Sequence, residues 1–288
     1  MTRIALDVMG GDNAPHEIVK GAIKAAGQLH ETVSTIYMVG DEKIINGELK
    51  KFPKADMSRL KIVHASEQVN MNETPAKAVR EKKDCSINVA MRLVKNGEAD
   101  AFVSAGNSGA VSAAAILHLG RIKGVMRPAI ATVLPTSRHK RPVLVLDAGA
   151  NTDCSEDWLA QFAIMGDCYS RGVLKRNTPS VGLLSIGSED CKGNAVTKEA
   201  FKLIQNDGMV NFCGNVEGHD IFGGELDVVV CDGFVGNVVL KTTESVAHAV
   251  GDWLKHELRQ NPIRLMGALL LRGAFKALKR KMNPEIYG

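Results

Sequence analysis

The chain has 288 residues, 45% of them apolar, 24% charged and only 5% aromatic, enough for one large or two small α/β domains with a sizeable core. So few aromatics argue against a surface built to stack nucleic-acid bases, and no run approaches the roughly 20 apolar residues of a membrane-spanning helix. The net charge of +4 is unevenly spread: residues 253–282 carry +7 and the remainder −3, so one C-terminal segment supplies the basic character.

In chain order, apolar runs and helical periodicity predict a strand at 3–9, a helix at 17–29, and strands at 35–40 and 61–65. Helices at 75–83 and 87–95 follow, then a strand at 101–105 and a helix at 108–119. Strands at 129–134 and 143–147 precede a helix at 156–171, a strand at 181–186, a helix at 196–206 and a strand at 227–232. Several of these strands are Val/Ile/Leu-rich on both faces, as strands covered on both sides are. The alternation predicts an α/β fold with a mainly parallel, doubly wound sheet. No repeat or linker interrupts it, so one compact domain over 1–288 is expected, with two lobes allowed. A long helix at 235–258 ends at Asn261-Pro262, where proline lacks an N–H and clashes with the preceding turn. Residues 263–282 resume a helical pattern.

Cys85, Cys154, Cys168, Cys191, Cys213 and Cys231 form no CxxC pair, which predicts reduced thiols of a cytosolic protein and no zinc site. The opening MTRIALDVMGG lacks the long apolar run of a signal peptide.

The predicted strand ends are polar and glycine-rich: DVMGGDNAP, SAGNSGA, LDAGAN, SIGSEDCKGN and CDGFVGN. Ligands of open α/β sheets bind beyond the carboxyl ends of the strands, and the helix that follows offers unpaired N–H groups to an anion. A single such loop is as well explained by the need to turn; five, at ends that could share one rim, point to a site. Gly10, Gly11, Asp12, Gly106, Asn107, Ser108, Gly109, Asn151, Gly187, Gly193, Gly233 and Gly236 are its candidate substrate-binding residues. There is no Walker A pattern, no GxGxxG after the first strand, no GxSxG and no HExxH. These absences disfavour a P-loop kinase, a nicotinamide enzyme, a serine hydrolase of the elbow type and a zinc protease. Asp12 after Gly10-Gly11 would repel a pyrophosphate.

In that order, GGDNAP, VSAGNSGA, LDAGAN, GSEDCKGN and DGFVGN resemble the motifs of the bacterial phosphate acyltransferase (PlsX) family, over residues 3–287. The resemblance implies a three-layer, Rossmann-like α/β/α sandwich related to phosphotransacetylases and isocitrate-type dehydrogenases. It implies a homodimer that converts a long-chain acyl thioester of acyl carrier protein and inorganic phosphate into acyl phosphate and free carrier. No cofactor and no metal are implied. The product feeds phospholipid synthesis, with the protein cytoplasmic and peripheral to the inner face of the cell membrane. Family members continue past the position of Gly288 with a glycine-rich segment, a further strand and a helix, which the resemblance therefore places outside these 288 residues.

Such a reaction needs phosphate held and desolvated, a thioester carbonyl in line with a phosphate oxygen, and donors for the oxyanion. Lys192, next to Gly193 in a strand-end loop, is the first candidate for the cationic role; its alternative is a solvated surface lysine. Asn237 opens the long helix and is a candidate carbonyl donor, or else the helix N-cap. Asp7 and Asp12 are candidates to orient Lys192 or to hold backbone N–H groups; Glu189 and Asp232 are candidate supports. In the last segment Leu265, Leu269, Leu270 and Leu271 form an apolar stretch. Read as a helix, Arg272, Lys276, Lys279 and Arg280 share one side. A dimer interface, an anionic membrane surface, carrier-protein docking and an ordinary buried helix all fit. A short-chain phosphate acetyltransferase using CoA is the alternative function, with the same chemistry and fold.

Overall fold

The computed structural model describes residues 1–138 and 141–282, the last five by backbone alone. The chain divides into two compact units, Met1–Gly124 and the remainder, and each has its own sheet.

The first unit runs β1 (Thr2–Asp7), α1 (His16–Gln28), β2 (Val33–Gly40), α2 (Glu42–Leu49), β3 (Leu60–His64), α3 (Pro75–Glu81), α4 (Ser86–Lys95), β4 (Ala101–Val103) and α5 (Ser108–His118). Its four strands are parallel in the order β3-β2-β1-β4. Strand alternation assigns the two faces. Ile4, Leu6, Val8, Ile36 and Met38 pack with Val19, Ala22, Ala26 and Ile45 of α1 and α2. Ala5 and Val39 turn the other way, onto Val89, Ala90 and Leu93 of α4. The strand order reverses between β1 and β4, the topological switch point at which such sheets bind ligands.

The second unit runs β5 (Ala131–Leu134), β6 (Val143–Leu146), α6 (Glu156–Gly172), β7 (Ser180–Leu184), α7 (Ala195–Asp207), β8 (Asn211–Val216), α8 (Asp220–Gly223), β9 (Val228–Val230), α9 (Gly233–Arg259), α10 (Pro262–Leu270) and α11 (Arg272–Met282). The order is β5-β6-β9-β7-β8, parallel except for β5. Leu144, Leu146, Val228 and Val230 pack under Leu159, Phe162, Ala200 and Phe201 of α6 and α7. Val143, Val145 and Val229 face Ile221 of α8 and Val239 and Leu240 of α9. Each unit is thus a three-layer α/β/α arrangement, as expected.

Four sequence readings are corrected. The five loops do not leave a single sheet: two end strands of the first sheet and three end strands of the second. Strand β8 is missing from the prediction, since NFCGNV mixes polar residues into an edge strand exposed over its first half, with Gly214 at φ +88°. Helices α2 and α8 are missing too, being only eight and four residues long. The predicted helix at 263–282 is two helices. The Leu271 N–H closes the first by bonding the Gly267 and Leu269 carbonyls, with Leu271 at ψ 9°. The apolar stretch therefore ends α10, and Arg272 begins α11, so Arg272, Lys276 and Lys279 are not on a helix continuous with Leu265 and Leu269. The side chains of Lys279 and Arg280 lie outside the described residues.

At the opposite end of the second sheet from its loops, Asp227 ties the start of β9. It is buried and accepts from Arg141 Nε (3.3 Å) and Nη2 (3.2 Å) and from the Ser180 N–H (3.1 Å), with Arg176 3.4 Å away. Burial pushes its carboxyl up, but the Arg141 and Ser180 hydrogen bonds and the two guanidinium charges outweigh that and hold it below the ordinary carboxylate value. A depressed folded pKa stabilises above the unfolded value, about 3.9, and that stability is lost as pH falls through the folded value. Asp227→Asn is expected to cost about 3 kcal/mol, the low end for a broken buried pair because both arginines stay partly solvated. Denaturant titrations at pH 7 and near pH 3 check this: the difference between variant and parent must shrink at the lower pH.

Candidate active site

In the first unit two glycine loops meet at the switch point. The Asp7 carboxylate, buried at the end of β1, accepts the Ser104 hydroxyl at 2.8 Å and the Met9 N–H at 3.1 Å. Ser104 in turn accepts the Gly106 N–H at 3.0 Å. This is the backbone-holding reading of Asp7. Gly10 allows the approach: a Cβ there would collide with the Asp7 carboxylate and reach 3.0 Å from the Gly106 backbone. Gly11 lies against Ala105 in the same crossing. Asp12 is exposed, without a hydrogen-bond or ion-pair partner among the described residues.

Asn107 caps α5, its Oδ1 accepting the Ala110 N–H at 3.1 Å while its Nδ2 donates to the Met71 carbonyl at 3.3 Å. Its amide is therefore committed to the fold. Gly109 packs against Pro75. Ser108 is exposed, and its hydroxyl makes no hydrogen bond among the described residues. The helix positive end with the Ser108 and Gly109 N–H groups is what this loop presents to an anion.

In the second unit three loops leave one row of the sheet, since Leu146, Val230 and Leu183 are register partners on adjacent parallel strands. After β6, Asn151 donates Nδ2 to the Pro128 carbonyl and to Asp147 Oδ2, both at 2.8 Å. Its carbonyl accepts the Gly233 N–H at 2.7 Å. Asn151 is thus spent on joining loops. Gly233 and Gly236 let α9 begin against this loop, and a Cβ on Gly236 would overlap the Asp147 carbonyl oxygen.

Asp232, not Asn237, caps α9, accepting the Val235 N–H at 2.8 Å. The N-cap reading of Asn237 is corrected accordingly: it sits a full turn further in. Its amide is exposed and has no hydrogen-bond partner among the described residues, and it stands beside Gly149, where a Cβ would lie 3.6 Å from Asn237 Cβ.

After β7, the Lys192 N–H closes a turn onto the Glu189 carbonyl at 3.0 Å. The Lys192 stem lies over buried Gly187, where a Cβ would come within 2.9 Å of its Cγ and 2.8 Å of Glu189 Oε2. The Lys192 ammonium is exposed and makes no ion pair among the described residues. Gly193, at φ +107°, turns the chain into α7, whose cap is Asn194. Lys192, on the loop after β7, and Asn237, in the opening turns of the helix that follows neighbouring β9, thus each present a polar end with no partner among the described residues.

Sequence reading missed Ser104 and Asp147. The signal for Asp147 was present: an acidic residue directly after the apolar run VLVL. Two thiols flank the second set of loops. Burial, with nearby Asp147 and Asp232, pushes Cys154 up to about 11, and burial pushes Cys231 up as well. Both are held as thiols at neutral pH. Among the described residues no three His, Cys, Asp or Glu side chains converge as a metal site.

In fold, the chain is an α/β/α protein of the kind seen in phosphotransacetylases. That from Streptococcus pyogenes superposes with a TM-score of 0.61 at 16% identity, covering 86% of this chain and 82% of that one. The one from Staphylococcus aureus gives 0.59 at 19%, with the same coverage. A family profile described as "Fatty acid synthesis protein" matches residues 2–288. Proteins named phosphate acyltransferase from Nostoc sp. (strain PCC 7120) and Geotalea uraniireducens are 47% and 50% identical over 286 residues. These matches span 99% of this chain and 82% and 81% of the relatives. The chain belongs to this fatty acid synthesis protein family, that of the phosphate acyltransferases.

Proposed function

We propose that this chain transfers a long-chain acyl group from the thioester of acyl carrier protein to inorganic phosphate. The observation that carries the reading is the 47% and 50% identity with phosphate acyltransferases over 99% of this chain; the loops supply a chemistry consistent with it. A phosphate oxygen attacks the thioester carbonyl, a C–O bond forms, the tetrahedral oxyanion collapses and the C–S bond breaks. The departing thiolate takes up a proton to become the free carrier thiol. Lys192 supplies a cation for phosphate or oxyanion, and Asn237 an N–H donor for the carbonyl oxygen. Phosphate is the nucleophile, and the protonated Cys154 and Cys231 are not called on. The N-terminal end of α5 is a second anion cradle within the first unit.

The test is phosphate-dependent thiol release from long-chain acyl carrier protein against acetyl-CoA, with hydroxylamine trapping of the acyl phosphate. Release from acetyl-CoA alone would favour the short-chain acetyltransferase. The likeness to phosphotransacetylases, at under 20% identity, supports that alternative in fold only. No release from either thioester overturns acyl transfer altogether.

We further propose a homodimer that touches an anionic membrane through α10. Among the described residues no helix is long and apolar enough to cross a membrane. Yet Leu265, Met266, Leu269, Leu270 and Leu271 are all exposed, Leu270 by 87%, and Arg272 and Lys276 follow at once. Burying each leucine contributes roughly 1.5–3 kcal/mol, and each basic residue about 1 kcal/mol at an anionic surface. Leu269→Glu with Leu270→Glu is expected to abolish co-sedimentation with anionic vesicles while soluble turnover persists. Undiminished sedimentation of an active dimer would sink the membrane contact, and a monomeric or insoluble variant would place these leucines in the dimer core instead.

A further inference from the structure

We infer that Asp147 is a positioning residue for the acyl-transfer step, its carboxylate locking the loop against which Asn237 stands. This rests on the role proposed above for Asn237.

Asp147 follows β6 and is fully buried. Its Oδ1 accepts N–H groups from Ile130 (2.9 Å), Gly149 (3.1 Å) and Ala150 (2.9 Å). Its Oδ2 accepts the Asn151 N–H and the Asn151 Nδ2, both at 2.8 Å. Five donors converge on one carboxylate, and among the described residues no Lys, Arg or His pairs with it. A turn needs only one or two side-chain hydrogen bonds. A buried anion is costly unless its lone pairs are satisfied, and when they are, the network holds a single geometry. Asp147 therefore over-determines residues 147–151.

What it locks is the bed of α9. The Asp147 carbonyl accepts the Cys231 Sγ–H at 3.4 Å and abuts Gly236. The Asn151 carbonyl holds the Gly233 N–H, and Gly149, at φ +136°, stands beside Asn237. The loop thus touches α9 at 233, 236 and 237, the turn that aims the Asn237 amide. The Gly149, Ala150 and Asn151 N–H groups all point at Asp147, so they are not available as oxyanion donors, whereas the Asn237 amide beside the loop makes no hydrogen bond among the described residues.

Asp147→Asn keeps the shape but turns an NH2 toward N–H donors. The expected result is a fall in kcat of the folded protein of about 10²-fold, the cost of a misplacement near 1 Å, with KM for phosphate held within about threefold. The deciding measurement is a double-mutant cycle with Asn237→Ala. If Asp147 acts through Asn237, Asp147→Asn lowers kcat little further once the amide is gone. Equal losses in both backgrounds mean independent action and overturn the inference, as does an unchanged kcat per folded molecule. Should Asp147→Asn not fold, Asn151→Ala, which removes one of the five donors, is put through the same cycle with the same criteria. A wild-type chain without acyl transfer overturns the function and this role together; an active wild type with additive losses overturns this role alone.

Discussion

Lys192→Ala is expected to lower turnover by on the order of 10²–10³, the loss that follows removal of one preorganised oxyanion donor, with the fold unchanged. The second half of that expectation comes from the structure. The ammonium is exposed and makes no ion pair among the described residues, and only the aliphatic stem rests on the loop, over Gly187. Removing such a side chain shifts stability by within about 0.5 kcal/mol, so lost activity cannot be assigned to unfolding. If Lys192 neutralises charge only in the transition state, kcat and kcat/KM fall together; if it only gathers phosphate, KM rises and kcat stands. Steady-state kinetics over a phosphate series, beside a melting curve, separates these. A variant that keeps more than about half of the parental kcat/KM rejects the role and returns Lys192 to the solvated surface.

Asn237→Asp is expected to be the more damaging of two substitutions at that position. Asn237→Ala removes the donor, at about 10²–10³ in kcat. Asn237→Asp removes the same donor and adds a negative charge where an oxyanion must form; every 1.4 kcal/mol of that repulsion is about another tenfold. Stability should move in the opposite direction. A carboxylate near the start of α9 interacts favourably with the helix dipole, by roughly 0.3–1 kcal/mol at most, so the aspartate variant should melt no lower than the alanine one. Because Asp232 already caps the helix, capping offers no competing explanation for either variant. Equal or better activity from the aspartate variant would remove Asn237 from the carbonyl site.

Much of the fold is local enough to be legible in residue type and spacing. Apolar runs such as VLVL at 143–146 and VVV at 228–230 name their strands because a fully covered strand has no polar face to show. Asn107-Ser108-Gly109 announces a capped helix start, and SEDCKGN a glycine turn carrying a lysine. The five ordered motifs were sufficient to mark the family that the matches over residues 2–288 then showed. The weak places were those where propensity is divided. The edge strand β8 carries Asn211 and Asn215, and the break at Leu271 depends on one residue leaving helical geometry inside a pattern that could have continued.

By itself the sequence determined the α/β class, most of the elements, the glycine-rich loops and the family, because these depend on spacing and residue type within a few positions. The tertiary structure decided which polar groups remain free. Asp7 meets Ser104 across 97 positions of chain, Asp147 meets Cys231 across 84, and Asp227 meets Arg141 across 86. Asn107 and Asn151 look like ligand donors in sequence and prove committed to Met71, Pro128 and Asp147. Lys192 and Asn237 look no different and prove uncommitted among the described residues. A hydrogen bond needs its partner within about 3 Å, and only the folding of distant segments onto one another decides which side chains find one.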